Sequence, residues 1–436
     1  MRTYIFLINL LVFGFILKPV DAYTQEELKL DDAIRLSLEN NYAIKVVLKT
    51  VEISDNNLSI GNSGMLPQIN ANGSVSNSNQ DSKLELSTGQ NIDKKDNVSN
   101  ALRGSVDLNW TIFDGFGMFV SYNRLKELKE LGDIQAQVAI ENTINALISV
   151  FYECLRLQHN LNAFQENLVL SSERLQRIED KYSYGAAVQL EVLKATVDRN
   201  SDSSTYLQTL IALNSLKRNL NFLMGRDPST EFSLLSDEKL LPDYELGLLH
   251  ETALKSNSSI NQGLQNQKIS ELEYKLIKSS RLPRISLTAN YGYNKSTADA
   301  GIMTLNQNVG LTAGVGASIN LFDGFKKNTQ IQNARVNMEI QQIQLDELKS
   351  ELEMNLQNAL ENYQRRLEIW KMELESYSTA QQNFNRTSDN YKLGISTSIE
   401  LREAQLNLLR TKNGINDAYF QAKLAESQLH LLTGRL

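Results

Sequence analysis

The chain of 436 residues is poor in the side chains that form covalent cross-links and catalytic centres. Its single cysteine, Cys154, excludes an intramolecular disulfide and a thiolate metal cluster. Three histidines are scattered at positions 159, 250 and 430, and no phosphate-binding glycine loop is evident outside turns. The sequence therefore predicts a protein that is not an enzyme, with no catalytic residues, no metal site and no cofactor.

Proline is also scarce: the chain has five, and none lies between residues 68 and 227 or after residue 283. A proline inside a helix costs about 3 kcal/mol, so these proline-free stretches, rich in Leu, Glu, Gln, Lys and Ala, predict long helices. Positive charge is in deficit as well, since the formal net charge is −7. This balance argues against nucleic acid as a partner.

Long apolar runs are missing except at the start, where Ile5 to Leu17 gives 13 nearly unbroken apolar residues. A membrane-spanning helix needs about 20. Arg2 precedes the run, and Val20-Asp21-Ala22 has the small-residue spacing of a cleavage site, so residues 1–22 are predicted to be a secretory signal peptide. We expect no transmembrane helix after it, and any membrane crossing would have to use strands.

The chain contains two copies of one pattern. Phe-Asp-Gly-Phe at 113–116 recurs at 322–325, and the Tyr-x-x-Gly at 182–185 recurs at 391–394, both at an offset of 209. Leu-Pro at 66–67 recurs at an offset of 216, so the extra seven residues fall between Leu-Pro and Phe-Asp-Gly-Phe. The pattern predicts two repeats, at 23–227 and 248–436, joined by a linker at 228–247 that packs at mid-length of the long helices.

Each repeat begins with a helix, predicted from Leu30 to about Met65 and from about Leu248 to just before Pro283. Further on, the apolar spacing is near 3.5 residues from 144 to 182 and from 345 to 377, which is typical of coiled-coil-like helices. The first of these long helices, from 117 to 181, has 65 residues and a length of about 98 Å. The helices 30–65 and 189–224 have 36 residues each, so the two together could flank one long helix end to end.

After each Leu-Pro the period changes to two, most clearly over 102–112, 285–293 and 309–321. Each repeat is therefore predicted to contribute a hairpin of roughly ten-residue strands, which is the length that crosses a bilayer at a tilt. The polar segments 77–100 and 295–308 are predicted to be outward-facing loops that tolerate insertion. Aromatic residues lie near the strand ends and fit a membrane-interface belt, with ordinary packing as the alternative; they are Trp110, Phe113, Phe116, Phe322 and Phe325.

The strand count predicts an oligomer. Four amphipathic strands cannot close a barrel, and open sheet edges are not tolerated in hydrocarbon. Two chains would give an eight-stranded barrel, whose interior is filled by side chains. Three chains give twelve strands, so we expect a homotrimer with a water-filled barrel and a hollow cylinder of helices.

In their order, duplication and spacing, these features resemble the TolC-like outer-membrane efflux and secretion ducts over essentially all of 23–436. The resemblance implies a mainly α fold with a β-barrel portion: a trimeric, twelve-stranded barrel in the outer membrane of a Gram-negative bacterium and an α-helical tunnel in the periplasm. It further implies a passive exit duct of a tripartite efflux or type I secretion system. The partners would be a periplasmic adaptor (membrane fusion) protein and an inner-membrane RND, ABC or MFS pump.

The resemblance also assigns residues at the periplasmic tips. Tyr182, Gly185, Tyr391 and Gly394 would form the tip turns at which the adaptor docks. Glu191 and Glu400, six residues after each glycine, and Glu403, nine after the second, would line the aperture. The residues themselves leave simpler roles open: helix-start acids, turn glycines and tyrosines that pack across the hairpin. Some relatives carry an arginine two residues after the second glycine that helps to hold the closed state. This chain has Ser396 there, so the residue that would hold the closed state is not assigned.

A function of another class fits part of the same pattern, namely a secreted periplasmic coiled-coil scaffold without a pore. A scaffold sheet needs only one covered face, whereas a barrel needs a lipid-facing apolar row on every strand. All four predicted strands approach that requirement, which favours the duct.

Overall fold

The computed structural model describes residues 26–236, 243–299 and 303–435. The predicted signal peptide lies outside the described residues, as do residues 237–242 of the linker. The elements are β1 Glu26–Leu28, α1 Leu30–Asn40, α2 Tyr42–Asn57, β2 Gln68–Glu85, β3 Asn91–Phe113, α3 Gly117–Ser183, α4 Gln189–Leu223, β4 Phe232–Leu234, α5 Leu246–Ser256, α6 Ser258–Ser279, β5 Arg284–Ala298, β6 Leu305–Ser318, α7 Lys326–Lys392 and α8 Ser398–Leu432.

Two long helices run the length of the helical part. The α3 and α7 helices have 67 residues each, or about 100 Å at 1.5 Å per residue. The predicted span of α3, 117–181, ends within two residues of the observed end at Ser183. The apolar spacing located these helices because no proline or other breaker interrupts it.

The prediction of one continuous helix from Leu30 to Met65 is wrong. Asn41 separates α1 from α2, and α2 ends at Asn57. The Asn41 side-chain oxygen accepts the backbone N–H groups of Ala43 at 2.8 Å and Ile44 at 3.2 Å, so it caps a new helix.

The second repeat has the same break, at Asn257 between α5 and α6. Its side chain accepts the N–H groups of Ser259 and Ile260 at 3.0 and 3.1 Å, and its Nδ2 donates to the carbonyl of Leu432 at 3.0 Å. Asn41 Nδ2 likewise donates to the carbonyl of Leu223 at 2.7 Å. The break between α1 and α2 therefore binds the C-terminal end of α4, and the break between α5 and α6 binds that of α8.

The helices form one layer with two free sides. Near the tips, α3 packs between α4 and α8, and α8 packs against α7. Near the sheet, α3 packs between α2 and α6, and α6 packs against α7. Shorter helices therefore lie end to end beside each long one, as predicted. The α2 and α4 helices form one side of the layer, and α7 forms the other.

The four long strands form an antiparallel sheet in the order β2-β3-β5-β6. They have 18, 23, 15 and 14 residues, more than the ten predicted. The predicted loop at 77–100 is mostly strand, because its polar residues continue the ladder, from Asn77 opposite Asn100 to Glu85 opposite Asn91. The turn between these strands comprises residues 86–90.

The core lies at mid-length of α3. The short strands β1 and β4 pair in parallel, and their buried Leu28 and Phe232 join a cluster with Leu147 and Phe151 of α3. The β4 strand, which follows residue 227, therefore packs at mid-length of α3. The repeat boundaries at 227 and 248 stay a prediction.

One 18-residue window of α3 has a mean hydropathy of 1.2, so by length and composition α3 is the one described helix that could cross a membrane. The expectation that no transmembrane helix follows the signal peptide stays a prediction, because a helix of a protein core can have the same length and composition. Leu147, Phe151 and Leu155 of α3 are nevertheless buried in the protein core, where an apolar stripe is equally expected.

Candidate functional site

The four-stranded sheet has one apolar face, most of it exposed in the single chain. Along β3, this face carries apolar side chains from Leu102 to Ile112, a distance of about 33 Å along the strand. Val75, Leu311 and Val315 are 81%, 70% and 69% exposed. The residues on this face include Ile69, Ala71, Val75, Leu102, Val106, Leu108, Trp110, Ile112, Ile285, Leu287, Tyr291, Val309, Leu311 and Val315. A continuous exposed apolar surface of this kind marks a membrane or an interface.

The opposite face is polar and cross-linked by side-chain hydrogen bonds. Asp107 Oδ2 accepts Asn72 Nδ2 at 2.5 Å and Ser105 Oγ at 2.9 Å. Its other oxygen accepts the amide of Asn290 on β5. Arg103 Nε donates to Asn294 Oδ1 at 3.2 Å. The sheet is thus amphipathic over its full width.

The two Phe-Asp-Gly-Phe segments join the sheet to the long helices. Asp114 Oδ1 accepts the N–H of Met118 at 3.0 Å, and Asp323 Oδ2 accepts that of Lys327 at 3.1 Å. Both aspartates therefore order the strand-to-helix turn. Gly115 has a φ of +75°, and its Cα packs closely against the backbone of Ser279.

The predicted belt aromatics lie at this junction. Phe113 and Phe116 make an edge-to-face pair at 5.1 Å between ring centroids, and Phe322 and Phe325 make the same pair at 5.4 Å. Phe116, Phe322 and Phe325 are 59%, 74% and 65% exposed. Trp110 Nε1 donates to the carbonyl of Met65 at 2.9 Å. Their contact with a membrane stays a prediction.

The tip turns form at the predicted glycines. Gly185 and Gly394 have φ values of +75° and +77°, and the residue after each donates to a carbonyl five residues back, which ends the helix. The two tyrosines differ: Tyr391 is buried with Lys181 Nζ 4.6 Å from its ring centroid, whereas Tyr182 is half exposed. Tyr391 therefore packs across to α3, and adaptor docking stays a prediction for all four residues.

The structure adds an apolar surface at the tips that the sequence analysis missed. Tyr184, Leu393, Ile395 and Ile399 are each more than two-thirds exposed. Val188 and Leu190 extend this surface on the first tip. The available signal was the presence of large apolar residues on both sides of the turn glycines, where turns are usually polar.

The three predicted aperture acids have different surroundings. Glu400 forms a capping box: its carboxylate accepts the N–H of Thr397 at 2.7 Å, and its own N–H donates to Thr397 Oγ1 at 3.2 Å. The backbone N–H of Thr397 lowers the pKa of Glu400. Glu191 lies in the first turn of α4, and both Glu191 and Glu403 are exposed. The helix-start role of Glu400 is thus seen directly, while the aperture role of all three stays a prediction.

A buried charge network, also missed from the sequence, fastens α8 to α4 near the tip. Arg402 donates two hydrogen bonds to the carboxylate of Asp202, at 2.7 and 2.8 Å. The two side chains are only 13% and 8% exposed. Arg174 of α3 pairs with Asp198 of α4. Beside the network lies a groove of about 910 Å³ between α4 and α8, bordered by Glu191, Glu403 and the apolar residues Leu193 and Ile399.

Within residues 26–236, 243–299 and 303–435, no three His, Cys, Asp or Glu side chains come together in a group that could hold a metal ion. Burial raises the pKa of Cys154 to about 12, so this thiol is unreactive at neutral pH.

The sequence profile of the outer membrane efflux proteins matches residues 33–226 and 249–435. The chain belongs to this family. This chain is 19% identical over 394 residues to Nodulation protein T of Rhizobium leguminosarum bv. trifolii, covering 87% of this chain and 79% of the relative. It is 20% identical over 352 residues to Outer membrane protein TolC of Escherichia coli (strain K12), covering 78% of this chain and 70% of the relative.

The fold of this chain is also that of a known outer membrane channel. The CmeC outer membrane channel of Campylobacter jejuni matches it with a TM-score of 0.79 at 16% identity, over 93% of this chain and 85% of CmeC. The predicted resemblance to TolC-like ducts is confirmed, and the family is one of channels of the outer membrane rather than of enzymes.

Proposed function

We propose that three copies of the efflux protein close side to side into a passive outer-membrane exit duct, with a twelve-stranded barrel in the membrane and a helical tunnel in the periplasm. The observation that carries the proposal is that each of the two sides of the single chain leaves contacts unmade. On each side, one strand of the sheet has a free hydrogen-bonding edge and one helix has an exposed apolar stripe.

The sheet leaves two strands with one free edge each. Among the described residues, the β2 strand pairs only with β3, and β6 pairs only with β5. Their free N–H and C=O groups lie beside an apolar face, and such groups cannot stay unpaired in hydrocarbon. A second copy would place its β6 beside β2 in antiparallel orientation, because the two strands run in opposite directions in this sheet.

The helices leave two apolar stripes uncovered. On α4 the exposed stripe is opposite the buried residues Ala195, Leu213 and Leu220, and on α7 it is opposite the buried Leu352 and Leu356. The stripes comprise Leu190, Leu193, Val197, Leu207, Ile211 and Phe222 on α4, and Val336, Ile340, Ile343, Met354, Ile369 and Met372 on α7.

The two stripes differ and lie on opposite sides of the layer. The α4 stripe of one copy can therefore pack against the α7 stripe of its neighbour. Such a heterologous contact forms a closed ring when the rotation allows it. The strand count then favours three copies, since eight strands would leave no open lumen. The apolar face of the sheet would contact lipid, and the polar face would line the lumen.

In this assembly the tips lie at the periplasmic end. The exposed apolar residues around Gly185 and Gly394 would dock a periplasmic adaptor protein, and Glu191, Glu400 and Glu403 would surround the aperture. An inner-membrane pump of the RND, ABC or MFS class would supply the cargo, in a tripartite efflux or type I secretion system. The relatives' channel fold supports the duct.

Membrane fractionation combined with gel analysis tests the proposal. The protein should be recovered from the outer membrane as a trimer that resists detergent in the cold and dissociates on heating. Recovery as a soluble periplasmic monomer would overturn the duct and favour the scaffold. A stable dimer would contradict the twelve-stranded barrel.

A further inference from the structure

In the part of the sheet nearest the helices, the polar face carries few charges, and these follow one another at intervals along the strands. Over the paired segments 68–78, 99–111, 284–298 and 305–318, this face holds three charged side chains among Ser, Thr, Asn, Gln, Gly and Ala. They are Arg284 at the helical end, Asp107 further out, and Arg103 nearest the external turns. Their signs alternate along the direction of export.

The middle charge is fixed in place. The Asp107 carboxylate is held by Asn72, Ser105 and Asn290, which come from three adjacent strands. All three donors are neutral, and among the described residues Asp107 forms no ion pair. Hydrogen bonds from neutral groups orient a carboxylate without cancelling its charge. Asp107 is thus a rigid, uncompensated negative charge.

The two arginines are separated from Asp107 and are bonded to neutral partners. Arg103 donates to Asn294, and Arg284 donates to Thr111 Oγ1 at 2.6 Å. Asp107 and Arg103 are four residues apart, about 13 Å along the strand. That distance exceeds the Debye length of about 10 Å at 0.1 M salt, so each charge acts on its own surroundings.

We propose that Asp107 and Arg103 determine the charge preference of the barrel, as two successive rings of opposite sign on the lumen wall. The Asp107 ring attracts cationic groups of a passing solute, and the Arg103 ring attracts anionic groups. The inference rests on the proposed trimeric duct, and it adds a second place of charge discrimination besides the acids at the tips. Neutral cargo crosses both rings without preference.

Matched cysteine reporters on one strand can measure each ring. Asn70 of β2 is paired with Asp107, and Ser74, on the same face of the same strand, is paired with Arg103. Neither supplies a hydrogen bond to Asp107. The native Cys154 is buried and does not compete for the reagent.

The experiment compares the rates at which a cationic and an anionic methanethiosulfonate label Asn70→Cys and Ser74→Cys in the full-length protein in outer membranes. In 0.1 M salt, where the two charges act separately, the cationic-to-anionic rate ratio should be several-fold higher at position 70 than at position 74. Adding Asp107→Asn should lower the ratio at position 70 by about threefold or more. Adding Arg103→Gln should raise the ratio at position 74. In 1 M salt, where the Debye length is about 3 Å, the differences should vanish.

Equal ratios at the two positions at the lower salt concentration, or a ratio at position 70 that Asp107→Asn leaves unchanged, would overturn the proposal. A third reporter tests the duct itself. Val106→Cys lies on the apolar face, about half exposed in the single chain, so lipid should shield it from both reagents. If Val106→Cys is labelled as fast as Asn70→Cys, the assignment of lumen and lipid faces fails, and with it the proposed function.

Discussion

At the residue scale, the charged side chains near the tip have separate tasks that their spacing in the sequence does not distinguish. Glu400 caps its own helix, Glu403 is exposed, and Arg402 turns to Asp202. The three residues lie within one turn of α8, so their directions around the helix decide which neighbour each one meets. Substitutions can separate these tasks.

Glu400→Gln and Glu400→Ala separate helix capping from charge. Glutamine can still accept the Thr397 N–H in a capping box, whereas alanine cannot. If Glu400 lines an acidic aperture, both variants should weaken the cation preference and cation block of the reconstituted trimer, and Glu403→Ala should do the same. Only Glu400→Ala should also loosen the start of α8, measured by amide hydrogen exchange.

The cap should also depend on pH. Because the folded-state pKa of Glu400 is lowered, its contribution to stability is complete above the ordinary glutamate pKa and is lost as the pH falls through the folded value.

Unchanged single-channel currents in all three variants, Glu400→Gln, Glu400→Ala and Glu403→Ala, would contradict the aperture role and leave the capping role intact.

Breaking the Arg402–Asp202 pair should be strongly destabilising. Arg402→Met leaves a buried, uncompensated Asp202, a change that typically costs about 3–5 kcal/mol. The double variant Arg402→Met, Asp202→Leu removes both charges and should recover much of the loss. The midpoint of thermal unfolding, followed by circular dichroism, measures the effect.

The exposed pair Arg365–Glu368 is the control. Both side chains are more than half exposed, so Arg365→Met should change stability by less than about 1 kcal/mol. An Arg402→Met variant that melts like the parent protein would show that water reaches Asp202.

At the scale of elements, the sequence located the long helices well because the signals for them are local. The helices that contain the proline-free apolar repeats start at Gly117 and Lys326 and end just before turn glycines. The strand-to-helix turns are local as well, since each aspartate caps the helix that follows it. The surroundings of the two turns differ, however, and that difference is visible only in the fold.

Gly115→Ala and Gly324→Ala should therefore differ although the motif is the same. Both glycines have positive φ, +75° and +68°, so alanine strains both turns. A Cβ at Gly115 would lie 2.4 Å from the carbonyl oxygen of Ser279, whereas none of the described atoms lies within 4 Å at Gly324. We expect Gly115→Ala to lower the thermal midpoint and the trimer yield more than Gly324→Ala. Equal losses would indicate that a neighbouring copy fills the space at Gly324.

At the scale of the whole molecule, the free strand edges and exposed helix stripes of one chain indicate how copies associate. Counting strands in the sequence already predicts three chains, but it does not say which surfaces join. The structure leaves one stripe on α4 and one on α7, each opposite a buried face.

Ile211→Glu on α4 and Ile343→Glu on α7 should each prevent trimer formation, because each would bury an unpaired charge between copies. Thr205→Glu is the matched control, since Thr205 is exposed on α4 but lies off the stripe. Trimer content, measured on unheated gels and by size-exclusion chromatography in detergent, should fall only for the two isoleucine variants. Trimers that survive both changes would require another interface.

Features that depend on partners far along the chain are not visible in the sequence. Asn41 breaks the first helix where it also binds the carbonyl of Leu223, 182 residues away. Arg402 and Asp202 are 200 residues apart, so neither pattern nor spacing pairs them. The part of β2 beyond Asn77 is polar and lacks alternation, so only its backbone pairing with β3 reveals it as a strand.

The sequence by itself determined the duplication, the length of the long helices, the amphipathic hairpins and the turns at Gly185 and Gly394. These features follow from periodicity and turn chemistry that act over a few residues. The tertiary structure decided which helix faces stay uncovered, which charges are paired, and that Asp107, without an ion pair among the described residues, lies between two arginines. Such outcomes depend on contacts between residues that only packing brings together.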